Sequence, residues 1–180
     1  MKATGIVRRI DDLGRVVIPK EIRRTMRIRE GDPLEIFTDH EGEVIFKKYS
    51  PIEEMGEAAT FYAESVNKAL GVIMIVADRD TIVSCAGIPK KDILDRKLSA
   101  EFDALVESRQ PYAWHKGENK LTVADRVERF FVKVSAPIFS AGDIIGAAAI
   151  IESDDMTEPT EAEINHMQIA AAFLGKTLDG

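Results

Sequence analysis

The sequence has one cysteine, three histidines and one tryptophan in 180 residues, and each scarcity removes a class of function. A lone cysteine, Cys85, allows no intrachain disulfide, so the fold depends on packing and suits a reducing compartment. His40, His115 and His166 are scattered and share no metal-ligand spacing with one another or with Cys85, so no metal site is expected. No phosphate-cradling glycine loop and no nucleophile–base arrangement stands out, so no catalytic residues are assigned and the chain is read as a non-enzyme. The N-terminal stretch MKATGIVRRIDD has no apolar run of signal length. The longest apolar run, Ile144 to Ile151, is strand-sized and far short of the roughly 18 residues of a membrane span. A cytoplasmic protein without membrane contact is expected.

Charge is plentiful but polarised. The net charge is −7, yet residues 1–29 hold nine Lys/Arg against three acids, which is +6. Residues 51–180 hold 13 basic and 22 acidic side chains, which is −9. An acidic protein with a basic head suggests that the head meets a polyanion, although a charge run can also be a solvated face.

The apolar pattern divides the chain further. Thr4–Arg9 and Arg15–Ile18 read as strands around an Asp11-Asp12-Leu13-Gly14 turn. Pro19 suits a helix start, and a short helix over Lys20–Arg27 carries Lys20/Arg24 and Arg23/Arg27 as basic rows. Leu34–Thr38 and Glu43–Tyr49 read as a hairpin. So few elements make a core too thin to stand alone, and a two-fold homodimer is the expected solution. After Ser50-Pro51, a helix over Ile52–Leu70 carries an apolar stripe (Ile52, Met55, Ala59, Tyr62, Ala63, Val66, Leu70), read as a connecting rod that could pair protomers. Beyond Gly71 come a hairpin over Val72–Ala86, a broken helix over Lys91–Gln110 with Ser99 as N-cap, strands at 112–116, 121–124, 129–139 and 144–152, and a final helix over Thr160–Leu178. The class is α+β, an antiparallel sheet flanked by helices. The boundaries are 1–52 for the head, 53–70 for the connecting helix, counted with the second domain, and 71–180 for that domain's body.

The segment Asp11 to Arg24, with the pattern D-x-x-G-R-V-V-I-P-K-E-I-R-R, resembles the swapped-hairpin DNA-binding domain of the AbrB family of transition-state regulators, and the resemblance covers residues 1–52. The layout of residues 71–180, with Val134-Ser135-Ala136-Pro137-Ile138 and Asp143-Ile144-Ile145-Gly146-Ala147, is similar to a GAF domain. A chain with both halves in this order resembles sporulation regulators of spore-forming Firmicutes. The resemblance implies a dimeric β-barrel of interleaved hairpins that binds double-stranded DNA. Arg8, Arg15, Arg23 and Arg24 would be the contacts, supported by Arg9, Lys20 and Lys2. A guanidinium fork suits this role, because it meets phosphate oxygens and guanine edges bidentately. Arg27 and Arg29 are expected to pair with acids such as Glu30 instead. The resemblance also implies activation of some sporulation promoters and repression of others, in the forespore, at degenerate, A·T-rich sites read by shape.

A tetramer is expected through the 52–70 and 160–178 helices and the second domain. That domain could hold a small, unidentified ligand, with Cys85, Phe102, Tyr112 and Trp114 around it; these residues can equally fill a core. No cofactor is named by any motif. Asp11, Gly14 and Pro19 read as structural, Cys85 as an inert core thiol, and Glu152-Ser153-Asp154-Asp155 as a solvated loop. Two other classes fit less well. An antitoxin-like or other protein-interaction module would use the same barrel but usually carries a disordered tail, and a nucleotide-handling enzyme would need a catalytic set that is missing.

Overall fold

The computed structural model describes residues 4–54 and 56–179, apart from the side chains of Glu53, Glu54 and Asp179. The chain forms two compact units, Met1–Tyr49 and Ser50–Gly180.

In the first unit, a tight turn begins at Asp11. The Gly14 N–H donates to the Asp11 carbonyl and the Asp11 N–H to the Arg15 carbonyl, both at 3.0 Å. Gly14 takes φ +75°, a conformation open to glycine at little cost, and the pattern is that of a three-residue hairpin loop. The arms expected at Thr4–Arg9 and Arg15–Ile18 are not strands: residues 4–10 and 15–19 carry no ladder. A lone two-stranded ribbon is marginal unless its apolar face is covered, and Ile6, Val7, Ile10, Val16 and Val17 are all exposed here. Pro19 precedes helix α1 (Lys20–Thr25), where its missing N–H costs nothing. Strands β1 (Leu34–Thr38) and β2 (Val44–Lys48) form an antiparallel hairpin with Ile36 opposite Phe46. Asp39 closes it, its Oδ1 accepting the N–H groups of Glu41 and Glu43.

The second unit opens with helices α2 (Pro51–Glu54) and α3 (Gly56–Leu70). Gly71, at φ +70°, ends α3 and donates to the Asn67 carbonyl. Strands β3 (Ile73–Asp78) and β4 (Ile82–Ala86) form the expected hairpin. The broken helix is resolved into α4 (Lys90–Ile93) and α5 (Ala100–Glu107), with the Ser99 hydroxyl capping α5 at the Phe102 N–H, 3.0 Å away. Strands β5 (Tyr112–Ala113), β6 (Thr122–Ala124), β7 (Val127–Ser140) and β8 (Asp143–Glu152) and helix α6 (Glu161–Asp179) follow. The sheet order is β4-β3-β8-β7-β5, with β6 also on β7, and all its pairings are antiparallel.

Side-chain alternation along β3 and β8 builds two cores from one sheet. Ile75, Ala77, Ala147, Ala149 and Ile151 meet Phe102, Val106 and Ile93 from α5 and α4 on one face. Met74, Val76, Ala148 and Ile150 meet Ala59, Ala63 and Val66 of α3 and Met167, Ala170 and Leu174 of α6 on the other. Small residues let the layers close tightly. A Cβ added at Gly175 would overlap the Phe139 carbonyl oxygen, so α6 lies directly on β7. Apart from Met55, which lies outside the described residues, the apolar stripe of the 52–70 segment is core and not a seam between protomers: Ile52, Ala59, Ala63 and Val66 are buried within their own domain, with Tyr62 and Leu70 packed against them. Phe61, on the other side of α3, is an exposed large apolar residue.

Candidate nucleic-acid interface and the second-domain core

The expected DNA contacts fall on two local structures. Lys20, Arg23 and Arg24 project from the six-residue α1, and all three are exposed. Arg15 stands at the far side of the Asp11 turn, also exposed, while Arg8 and Arg9 lie on the arm before it, exposed as well. Among the described residues, no hydrogen bond or ion pair engages the side chains of Arg8, Arg9, Lys20, Arg23 or Arg24. Lys2 lies outside the described residues. Arg27 and Arg29 are half-buried and knit the unit together: the Arg27 carbonyl accepts from Lys48 Nζ at 3.0 Å, and the Arg29 N–H donates to Asp32 Oδ2 at 2.8 Å.

Arg15 is held. Asp11 Oδ1 accepts the N–H groups of Leu13 and Arg15 at 3.0 and 2.8 Å, and Asp11 Oδ2 accepts Arg15 Nε at 2.8 Å. The Arg15 backbone N–H, and then its guanidinium, hold the Asp11 carboxyl below the usual carboxylate range, so Asp11 stays ionised. An acid facing a basic surface reads from sequence as a turn former only. The Asp-x-x-x-Arg spacing across a glycine turn is the signal for the second role.

In the second unit, Cys85 and Phe102 are buried in the core beneath α5, and Tyr112 packs against that cluster. Trp114 is buried, with its Nε1–H donating to the Glu118 carbonyl at 3.2 Å. Burial pushes the Cys85 thiol above its ordinary value, with Asp92 adding to the rise and Lys90 opposing it, which makes it a poor nucleophile. A cavity of about 160 Å³ lies between the β5–β7 edge and α6, lined by Tyr112 among others and reaching Ile164 and Gln168 on the helix. Of the four residues expected around a ligand, Tyr112 alone borders it. Among the described residues no group of three or more His, Cys, Asp or Glu could hold a metal.

Sequence reasoning missed a buried charge cluster. Lys133, in the middle of β7, has a side chain 3% exposed and donates to Glu152, Thr157 and Glu163 at 2.8–2.9 Å. Burial works against the ammonium, but the two carboxylates outweigh it and Lys133 titrates above its ordinary value. Glu163, whose side chain is 8% exposed, is raised by burial but lowered more by Lys133 and Thr160, and ends below the usual carboxylate range. Thr160 and Glu163 form a capping box at the start of α6, each side chain accepting the other's N–H. The legible signals were a lysine inside the apolar run Phe130–Ile138 and the T-x-x-E spacing of Thr160–Glu163. The Glu152-Ser153-Asp154-Asp155 stretch, read as a solvated loop, is therefore anchored at Glu152.

These features find counterparts among known proteins. Residues 54–179 match the family model described as stage V sporulation protein T C-terminal, transcription factor. Residues 7–54 match the model described as antidote-toxin recognition MazE, bacterial antitoxin. Over 51 residues, 28% of this chain and 52% of the relative, the sequence is 63% identical to transition state regulatory protein AbrB of Bacillus subtilis (strain 168). The second unit shares its fold with the solved Thermosynechococcus elongatus PixJ GAF domain, at TM-score 0.52 and 13% identity over 73% of this chain and 89% of that one. The chain is thus a transcription regulator with an AbrB-like N-terminal domain and a second domain that has the fold of a GAF domain. It is 45% identical over 99% of both chains to stage V sporulation protein T of Bacillus subtilis (strain 168), and it belongs to the stage V sporulation protein T family.

Proposed function

We propose that this sporulation regulator grips double-stranded DNA as a two-fold dimer through its N-terminal unit. Arg8, Arg15, Arg23 and Arg24 meet phosphates and guanine edges, and Arg9, Lys20 and Lys2 add charge. The observation that carries the reading is that Arg8, Arg9, Lys20, Arg23 and Arg24 are exposed with no acid partner among the described residues, on a segment 63% identical to AbrB. The exposed Ile6, Val7, Val16 and Val17 support the dimer, since a second chain's hairpin would cover them and complete the ladders that one chain leaves open. The sites are A·T-rich and read partly by shape. The protein works in the cytoplasm, in the forespore, activates some promoters and represses others, and carries out no catalysis. Its second domain serves tetramer assembly, the sensing of a small ligand, or both.

The test is fluorescence anisotropy on duplex DNA, titrated against salt, for wild type and Arg15→Ala. Wild type is expected to bind with a slope of log K on log salt of about −5, the release accompanying about six neutralised phosphates, and the folded variant to lose most of its affinity. Absence of wild-type binding at low salt overturns the reading. The match of residues 7–54 to an antitoxin model favours a protein-interaction module as the second reading. A stable toxin-like partner in a pull-down, together with that lack of DNA binding, would put it first.

A further inference from the structure

We infer that Asp11 is a positioning residue for DNA recognition: it fixes the Arg15 side chain so that the terminal fork of the guanidinium faces outward, ready for one bidentate contact. The inference rests on the proposed role of Arg15.

The geometry makes the argument. Asp11 uses its two carboxylate oxygens for two different tasks. Oδ1 accepts the Leu13 and Arg15 backbone N–H groups and shapes the turn, while Oδ2 accepts Arg15 Nε at 2.8 Å. A guanidinium can present two edges to an acceptor pair, one through Nε and one Nη, the other through both Nη atoms. Asp11 occupies Nε, so the side-on edge is taken. The Arg15 side chain is 69% exposed, and among the described residues no other hydrogen bond engages it. The free edge is the end-on pair, the one that matches guanine O6 and N7 or two phosphate oxygens. A long, flexible side chain that is held before binding loses less freedom on binding.

The charge of Asp11 sharpens the case. A carboxylate on the face that meets a polyanion weakens non-specific attraction. A turn former need not be charged there, since Asn or Ser accepts the same backbone N–H groups. The charge is useful only where it grips Arg15. Removing it should therefore separate two quantities that a purely structural residue would move together: selective affinity falls, and non-selective affinity does not.

The experiment uses the full chain. A duplex is first enriched by wild-type protein from a random-sequence pool. Affinities are then measured for that duplex and for poly(dI-dC) with wild type, Asp11→Asn, Arg15→Ala and the double variant. Asp11→Asn is expected to lose about tenfold on the enriched duplex, the scale of one bidentate contact, and to bind poly(dI-dC) as tightly as wild type or more tightly. In the Arg15→Ala background, Asp11→Asn should cost nothing further on the enriched duplex, since the two residues act as one unit. An Asp11→Asn variant that keeps the wild-type selectivity ratio, or that costs as much without Arg15 as with it, overturns the proposal. If Arg15→Ala binds both duplexes as wild type does, the reading of Arg15 itself fails, and the positioning role falls with it. Should Asp11→Asn melt early, Asp11→Ser, whose hydroxyl can still accept the turn's N–H groups, goes through the same cycle.

Discussion

Lys133 sets the residue scale, because an ammonium 3% exposed in a β-strand is tolerable only while its carboxylates stay in place. Truncating it to Ala would leave Glu163 buried without its cation, and breaking one side of a buried pair costs about 3–5 kcal/mol. Urea unfolding of Lys133→Ala should show that loss at neutral pH. The pH dependence follows from the sign of each shift. Glu163 titrates below its ordinary 4.5 in the folded chain, so its contribution is complete above about 4.5 and disappears as pH falls through the lowered value. Lys133 titrates above its ordinary 10.5, so its contribution is complete below about 10.5 and disappears as pH rises through the raised value. Removing Lys133 should therefore flatten the stability profile on the acid side, where Glu163 no longer has a charge partner. A Lys133→Ala profile parallel to wild type through the carboxylate range would show that the cluster carries no net coupling.

At the scale of elements, α6 is the part whose placement is most constrained. Its capping box fixes its start to β7 through Glu163 and Lys133, and Gly175 brings its last turns against the Phe139 carbonyl. Gly175→Ala must lift the helix from the strand. In open space the same change would favour a helix by roughly 1 kcal/mol; here overpacking costs about 1–3 kcal/mol, so a lowered melting temperature is expected, and a raised one would refute the close contact. The existence of α6, and of nearly every element of the second domain, was legible from periodicity, because each buries a face against its own chain: β8 reads as a continuous apolar run since both its faces are covered. The arms at Thr4–Arg9 and Arg15–Ile18 also have strand-like composition, but they form no ladder among the described residues, where nothing covers the exposed Ile6, Val7, Val16 and Val17. In the candidate site, residue types and exposure were legible. Asp11's grip on Arg15 and Lys133's partners were not, because both depend on which side chains a fold brings into range.

For the whole molecule, the proposed tetramer needs a surface that would join one proposed dimer to another. The outer side of α3 and α6 carries Phe61, Ile169 and Phe173, 66%, 58% and 49% exposed, and Tyr62 stacks on Phe173 with ring centroids 5.3 Å apart. Three large apolar side chains left in water on adjacent helices form the kind of patch that marks an association site, and full burial of each contributes about 1.5–3 kcal/mol. The sequence reading assigned pairing to the 52–70 stripe, which turned out to be core; the residues that face outward are those that broke the stripe's spacing. A proposed tetramer held by this patch should come apart when the patch is charged. Phe61→Asp with Phe173→Asp removes the Tyr62–Phe173 stack but changes neither the basic head nor the fully buried residues of either helix, so the fold and the proposed N-terminal dimer are expected to persist. Analytical ultracentrifugation at micromolar concentration should then show tetramers for wild type and dimers for the double variant. Affinity for a duplex carrying one site should hardly change, while a duplex carrying two sites should lose the gain that linking them provides. Tetramers that survive both aspartates would place the contact elsewhere, and wild-type dimers alone would end the tetramer reading.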